Sequence, residues 1–180
     1  MRVAVFCGSR PGRDPAHAAL ARTLGGAIGG RGWRLVYGGG HVGLMGLVAQ
    51  ATLESGGSVH GIITSHLVGR EAAAPGLNQL DVVDTMFERK RRLIDGSDGY
   101  IVLPGGFGTF DELLDALTLK QLDEHSKPIV LLAPDQAFWT PWLALARHVV
   151  AEGFADSSAL ELAAVATSVQ EALDLLASRS

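Results

Sequence analysis

The chain has 180 residues, one domain's worth, with 47% hydrophobic and 19% charged residues, a composition that excludes disorder and can fill a continuous core without staples. Its 15 Lys and Arg against 19 Asp and Glu leave a net charge of −4, which argues against a surface that holds nucleic acid through its phosphates. A single cysteine, Cys7, excludes a disulfide framework and any multi-cysteine zinc site. The apolar run Val3 to Cys7 is too short for a secretion signal or a membrane span, as is every later run, so the expected compartment is the cytoplasm.

In chain order, Arg2 to Cys7 reads as a buried strand and Pro15 to Arg31 as a helix capped by Asp14. Arg34 to Tyr37 is the next strand and Gly43 to Ser55 the next helix. Ser58 to Ile63 is a third strand. Thr64 to Asn78 lacks a period and reads as a loop with one helical turn. Leu80 to Val83 (strand), Thr85 to Ser97 (helix), Tyr100 to Leu103 (strand) and Phe110 to Leu122 (helix) follow. Pro128 to Leu132 is a strand, Phe138 to Glu152 a helix, Leu162 to Ala166 a strand and Ser168 to Ala177 a closing helix. Strands apolar on both faces, alternating with helices, imply a parallel sheet covered on both sides. The expected fold is thus an α/β, single-domain, Rossmann-like, doubly wound sheet over residues 1–180.

Ligands of such folds bind beyond the carboxyl ends of the strands. Three of those loops are rich in glycine: residues 7–12, 37–46 and 103–109. Glycine lets a ligand approach peptide N–H groups, and a helix start just beyond suits a phosphate. The second loop contains G-x-G-x-x-G at Gly38, Gly40 and Gly43, but the next strand ends in Ile62-Ile63-Thr64 without the acidic residue a dinucleotide ribose needs. No Gly-Lys-Ser/Thr and no Gly-x-Ser-x-Gly is present, which removes a P-loop ATPase and makes Ser9 a poor hydrolase nucleophile.

On the helix from Thr85, the core-facing seam is Met86, Arg89, Lys90, Leu93 and Ile94. Two cations on an apolar seam need anionic partners. Glu112 has two readings. In Thr109-Phe-Asp-Glu112 it completes a capping box with Thr109 as N-cap; alternatively its carboxylate faces a ligand's sugar. The six histidines show no metal-ligand spacing; His41 lies in a glycine loop where it could touch ligand, and the others read as surface or satisfied polar residues. Cys7 reads as packing, and Trp139 and Trp142 as core or subunit contact.

Pro104-Gly-Gly-Phe-Gly-Thr-Phe-Asp-Glu112 matches P-G-G-x-G-T-x-x-E, and Met86-Phe-Glu-Arg-Lys90 matches M-x-x-R-K. With Tyr37-Gly-Gly-Gly-x-x-Gly-Leu-Met-Gly46, they make the chain resemble the LONELY GUY family of cytokinin riboside 5′-monophosphate phosphoribohydrolases, often labelled lysine decarboxylases. The resemblance implies hydrolysis of the N-glycosidic bond of an adenosine 5′-monophosphate, N6-substituted or not, to free base and ribose 5-phosphate. It implies Arg89 and Glu112 as the catalytic pair. It implies substrate contacts from Lys90, Gly106, Phe107, Gly108, Thr109, Phe110, Asp111 and Thr118, and from Glu71, although Ala72-Ala-Ala-Pro75 departs from the family's usual sequence there. Met86, Gly39, Gly40 and Gly43, in the matched motifs, and Ser9, in the first glycine loop, complete the set. It also implies a homodimer with no metal and no cofactor. A non-catalytic nucleotide or cofactor carrier of the same fold is the alternative. A pyridoxal-phosphate decarboxylase is not supported, because none of Lys90, Lys120 and Lys127 has a Schiff-base setting.

Overall fold

The computed structural model describes residues 1–71, 76–135 and 137–178, and leaves the side chains of 69–71 outside that description. Seven strands, β1 (Arg2–Phe6), β2 (Arg34–Tyr37), β3 (Ser58–Thr64), β4 (Gln79–Val83), β5 (Gly99–Val102), β6 (Ile129–Leu132) and β7 (Ala164–Ala166), pair in parallel in the order β4-β3-β2-β1-β5-β6-β7. The helices are α1 (Pro15–Gly30), α2 (Gly43–Glu54), α3 (Ser65–Glu71), α4 (Met86–Asp95), α5 (Phe107–Gln121), α6 (Thr140–Ala151) and α7 (Val169–Ala177).

The period of two along each strand divides the core. Val3, Val5, Leu35, Tyr37, Ile101 and Leu103 face one layer, where α1, α2 and α7 pack. Ala4, Phe6, Val36, Ile62, Tyr100 and Val102 face the other, with Leu93 and Ile94 of α4, Leu113 and Ala116 of α5, and Trp139. The doubly wound expectation is met. The chain runs outward from β1 to β4, then returns to add β5 on the other side of β1, with Phe6 in register with Val102. Connections leave the tips of these two central strands toward opposite layers and open a crevice between them.

Local chemistry sets the helix starts. Asp14 accepts from the Ala16 N–H at 2.8 Å, and Thr85 accepts from the Glu88 N–H at 3.1 Å, each at a helix N-cap. Three expectations need correction. The stretch after β3 holds a two-turn helix, α3, rather than one turn within a loop. The last strand is shorter than Leu162 to Ala166: a 3₁₀ turn at Ser157–Glu161 precedes Ala164–Ala166. Finally, α5 starts at Phe107 with Gly106 as N-cap, so Thr109 is already inside the first turn and the capping box is not formed.

Candidate active site

A cavity of about 600 Å³ lies at the point where the strand order reverses. Its floor is the loop after β1, and one wall is the stretch 104–109 that leads from β5 into α5. The two loops are stitched together: Gly8 donates its N–H to the Pro104 carbonyl at 3.1 Å, and Leu44 at the start of α2 donates to the Gly8 carbonyl at 3.0 Å. Gly43, at φ +61°, packs so close to the backbone of Ser9 that a Cβ there would overlap it. The N-terminus of α5 faces the cavity with no side-chain cap, so its first-turn N–H groups and helix dipole present a place for an anion.

Arg89 and Glu112 meet in this cavity. Arg89 leaves α4 on the buried seam and is only 6% exposed. Its Nε donates to the Ile62 carbonyl at 3.0 Å and Nη2 to the Gly38 carbonyl at 3.2 Å. Nη1 lies 3.5 Å from Glu112 Oε1, and the Glu112 side chain is 12% exposed. A guanidinium that spends two arms on strand-end carbonyls and holds a carboxylate with the third is a rigid fixture. Glu112 is not a capping residue: it sits in the second turn of α5, lines the cavity and pairs with Arg89. Cys7 lines the same floor; burial, with the Glu112 charge adding to it, pushes its thiol far above the usual range, so it stays protonated and inert.

Of the other expected site residues, Ser9, Gly106, Phe107, Gly108 and Thr109 line the cavity. Lys90 does not; it ion-pairs with Asp111 at 3.0 Å and Asp115 at 2.8 Å, joining α4 to α5. Burial lowers its pKa, but hydrogen bonds to those two carboxylates outweigh that and hold it above the usual lysine value. Phe110 packs among Phe138, Trp139 and Trp142. Met86 and Thr118 are exposed, away from the lining. Gly39 and Gly40 are buried and, with Gly43, do not line the cavity. The Glu71 side chain lies outside the described residues.

Arg10, Arg13, His17 and Phe138 also line the cavity, and sequence reading did not single them out. The His17 ring meets Phe138 edge-on at 6.3 Å, though the two residues are far apart in the chain. The only local signal was that Arg10 and Arg13 belong to a glycine-containing loop after a central strand.

The description of the family whose sequence profile matches residues 45–176 is "Possible lysine decarboxylase". A cytokinin riboside 5′-monophosphate phosphoribohydrolase of Mycobacterium tuberculosis is 45% identical over 176 residues, covering 95% of this chain and 90% of that one. The chain belongs to this family, the LONELY GUY family. An Arabidopsis thaliana member with the same enzyme name is 40% identical over 97% of this chain and 82% of its own. Among solved structures, a molybdenum cofactor binding protein from Rippkaea orientalis superposes with a TM-score of 0.73 at 22% identity, covering 98% of this chain and 95% of that one; at that identity the likeness is one of fold. The decarboxylase wording does not suit the LONELY GUY site. Pyridoxal phosphate needs a Schiff-base lysine, and among the described residues no lysine lines the cavity.

Proposed function

We propose that this protein hydrolyses the N-glycosidic bond of adenine-type nucleoside 5′-monophosphates, giving free base and ribose 5-phosphate. The observation that carries the reading is the Arg89–Glu112 pair beside an uncapped helix start in a cavity of nucleotide size. The 5′-phosphate binds at the N–H groups of residues 106–108; the Thr109 N–H is already spent on the Gly106 carbonyl at 3.0 Å. That anchorage sets the ribose beside Glu112, and binding the unreactive phosphate orients the reacting bond. As the C1′–N bond breaks, positive charge develops on the sugar. The Glu112 carboxylate stabilises that charge and takes a proton from the water that attacks C1′. The departing base carries away the bonding pair and takes up, through solvent, the proton that Glu112 removed from the water, which returns Glu112 to its carboxylate form. Arg89 keeps the carboxylate aimed and ionised.

The protein acts as a homodimer in the cytoplasm on this reading. The α4–α5 layer shows solvent a group of large apolar side chains, Met86, Phe87, Phe107 and Leu114, with Phe87 86% exposed. Among the described residues no helix is long and apolar enough to cross a membrane, and the one cysteine is buried and free.

The test is a panel of AMP, isopentenyladenosine monophosphate and the corresponding nucleosides, scored for free base. Base released from the monophosphates but not from the nucleosides is the expected result. Binding without release would instead make the chain a carrier, and equal rates on nucleosides would refute the phosphate anchor.

A further inference from the structure

We propose that Gly38, at the tip of β2, is a positioning residue for Arg89: the space left by its missing side chain is where the guanidinium lies. This rests on the catalytic reading of Arg89 and Glu112 above. Gly38 opens the triple-glycine tract, yet it does not line the cavity and cannot touch a ligand there. Its φ lies outside the left-handed region, unlike those of Gly39 and Gly43, so a left-handed turn is not what requires glycine there. What excludes a side chain is occupancy. A Cβ built on Gly38 overlaps Nη2 of Arg89, with Cζ at 3.3 Å and Met45 Sδ at 3.2 Å. The same Nη2 donates to the Gly38 carbonyl, so Gly38 is both the seat and the hydrogen-bond acceptor of the guanidinium.

The atom that must yield to an alanine is the end of a flexible side chain, not backbone. Gly38→Ala therefore displaces the guanidinium, and Nη1 with it, from its place beside Glu112. Displacement of about 1 Å in a catalytic group costs on the order of a hundredfold in rate. Substrate binding at the α5 N-terminus is left in place. Gly38 of the second glycine loop thus serves catalysis by holding an arginine.

The experiment is a double-mutant cycle of Gly38→Ala with Arg89→Ala and Arg89→Lys, reading AMP turnover and thermal denaturation. In the wild-type background Gly38→Ala should lower kcat about ten- to a hundredfold, with KM changed less than about threefold. In the Arg89→Lys background, which lacks Nη2, the same alanine should cost less than about threefold in kcat. In the Arg89→Ala background it should leave the melting temperature unchanged or raise it, because the methyl fills vacated space. Near wild-type kcat for Gly38→Ala, or equal damage in all three backgrounds, would overturn the proposal. Should Gly38→Ala alone fail to fold, a folded Gly38→Ala/Arg89→Ala protein supports it and an unfolded one overturns it. Should the wild-type enzyme release no base, the catalytic reading fails, and the melting temperatures alone still decide whether Gly38 and Arg89 are coupled.

Discussion

Replacing Glu112 by glutamine removes one charge and almost no volume. Arg89 keeps its two carbonyl acceptors, and the amide oxygen can still accept from Nη1. What disappears is the attraction between a carboxylate oxygen and a guanidinium nitrogen 3.5 Å apart. At an effective dielectric constant of about 20, two unit charges at that distance attract by about 5 kcal/mol. Most of this is offset because glutamine has no carboxylate to desolvate. The net loss of stability is then about 1–2 kcal/mol, a fall of roughly 2–8 °C in melting temperature for a chain of this size. The rate suffers more. Losing one preorganised group that stabilises transition-state charge costs about 3–4 kcal/mol, or about a hundred- to a thousandfold in kcat. Chromatographic assay of adenine released at saturating AMP gives the turnover, and calorimetric titration with AMP gives the affinity. Glu112→Gln should bind AMP within about threefold of wild type while losing turnover. Turnover within tenfold of wild type, or lost binding with preserved turnover, would refute the role assigned to Glu112.

Arg89→Lys should rescue little of the activity lost in Arg89→Ala, because one ammonium cannot serve two carbonyls and a carboxylate in fixed directions; steady-state kinetics on AMP compares the two, and a lysine variant within about tenfold of wild type would contradict it. Stability should fall at alkaline pH. Burial raises the pKa of Cys7, Tyr37 and Tyr100, so the folded chain keeps protons that the unfolded chain releases above about 8.5 for the thiol and about 10 for the phenols. The unfolded state then binds fewer protons and is favoured as pH rises; denaturant melts between pH 7 and 11 should decline from about pH 8.5 upward, and a flat profile would count against it. Phe87→Asp, on the exposed α4–α5 layer, should shift the protein from dimer to monomer in light scattering at equal concentration; an unchanged mass would move the interface elsewhere.

Local patterning carried most of the architecture. Six of the seven strands lie within a residue of their expected ends because their apolar runs are short, β-branched and bounded by glycine or proline. Asp14 marked a helix start because a cap is a contact between near neighbours in the chain. The same logic failed at α5. Gly106 and Gly108 read as loop, and glycine costs about 1 kcal/mol in a helix relative to alanine, yet α5 begins among them. That early start removed the capping box and turned Glu112 into the cavity.

Arg89 was legible as an anomaly, a cation on an apolar seam, and the motif resemblance paired it with Glu112, but its two carbonyl acceptors were not legible. The Gly38 carbonyl lies just past β2, the Ile62 carbonyl in β3 and Glu112 in α5, and no periodicity relates them. Nor did the residues reveal that Gly38, Gly39, Gly40 and Gly43 of the second glycine tract stand outside the lining, while its Leu44 and Met45, with His17 and Phe138, form part of it. Local order reflects forces between residues a few positions apart, and for these a single chain suffices. The site exists because the sheet reverses its winding between β1 and β5, which sets loops far apart in sequence against one another.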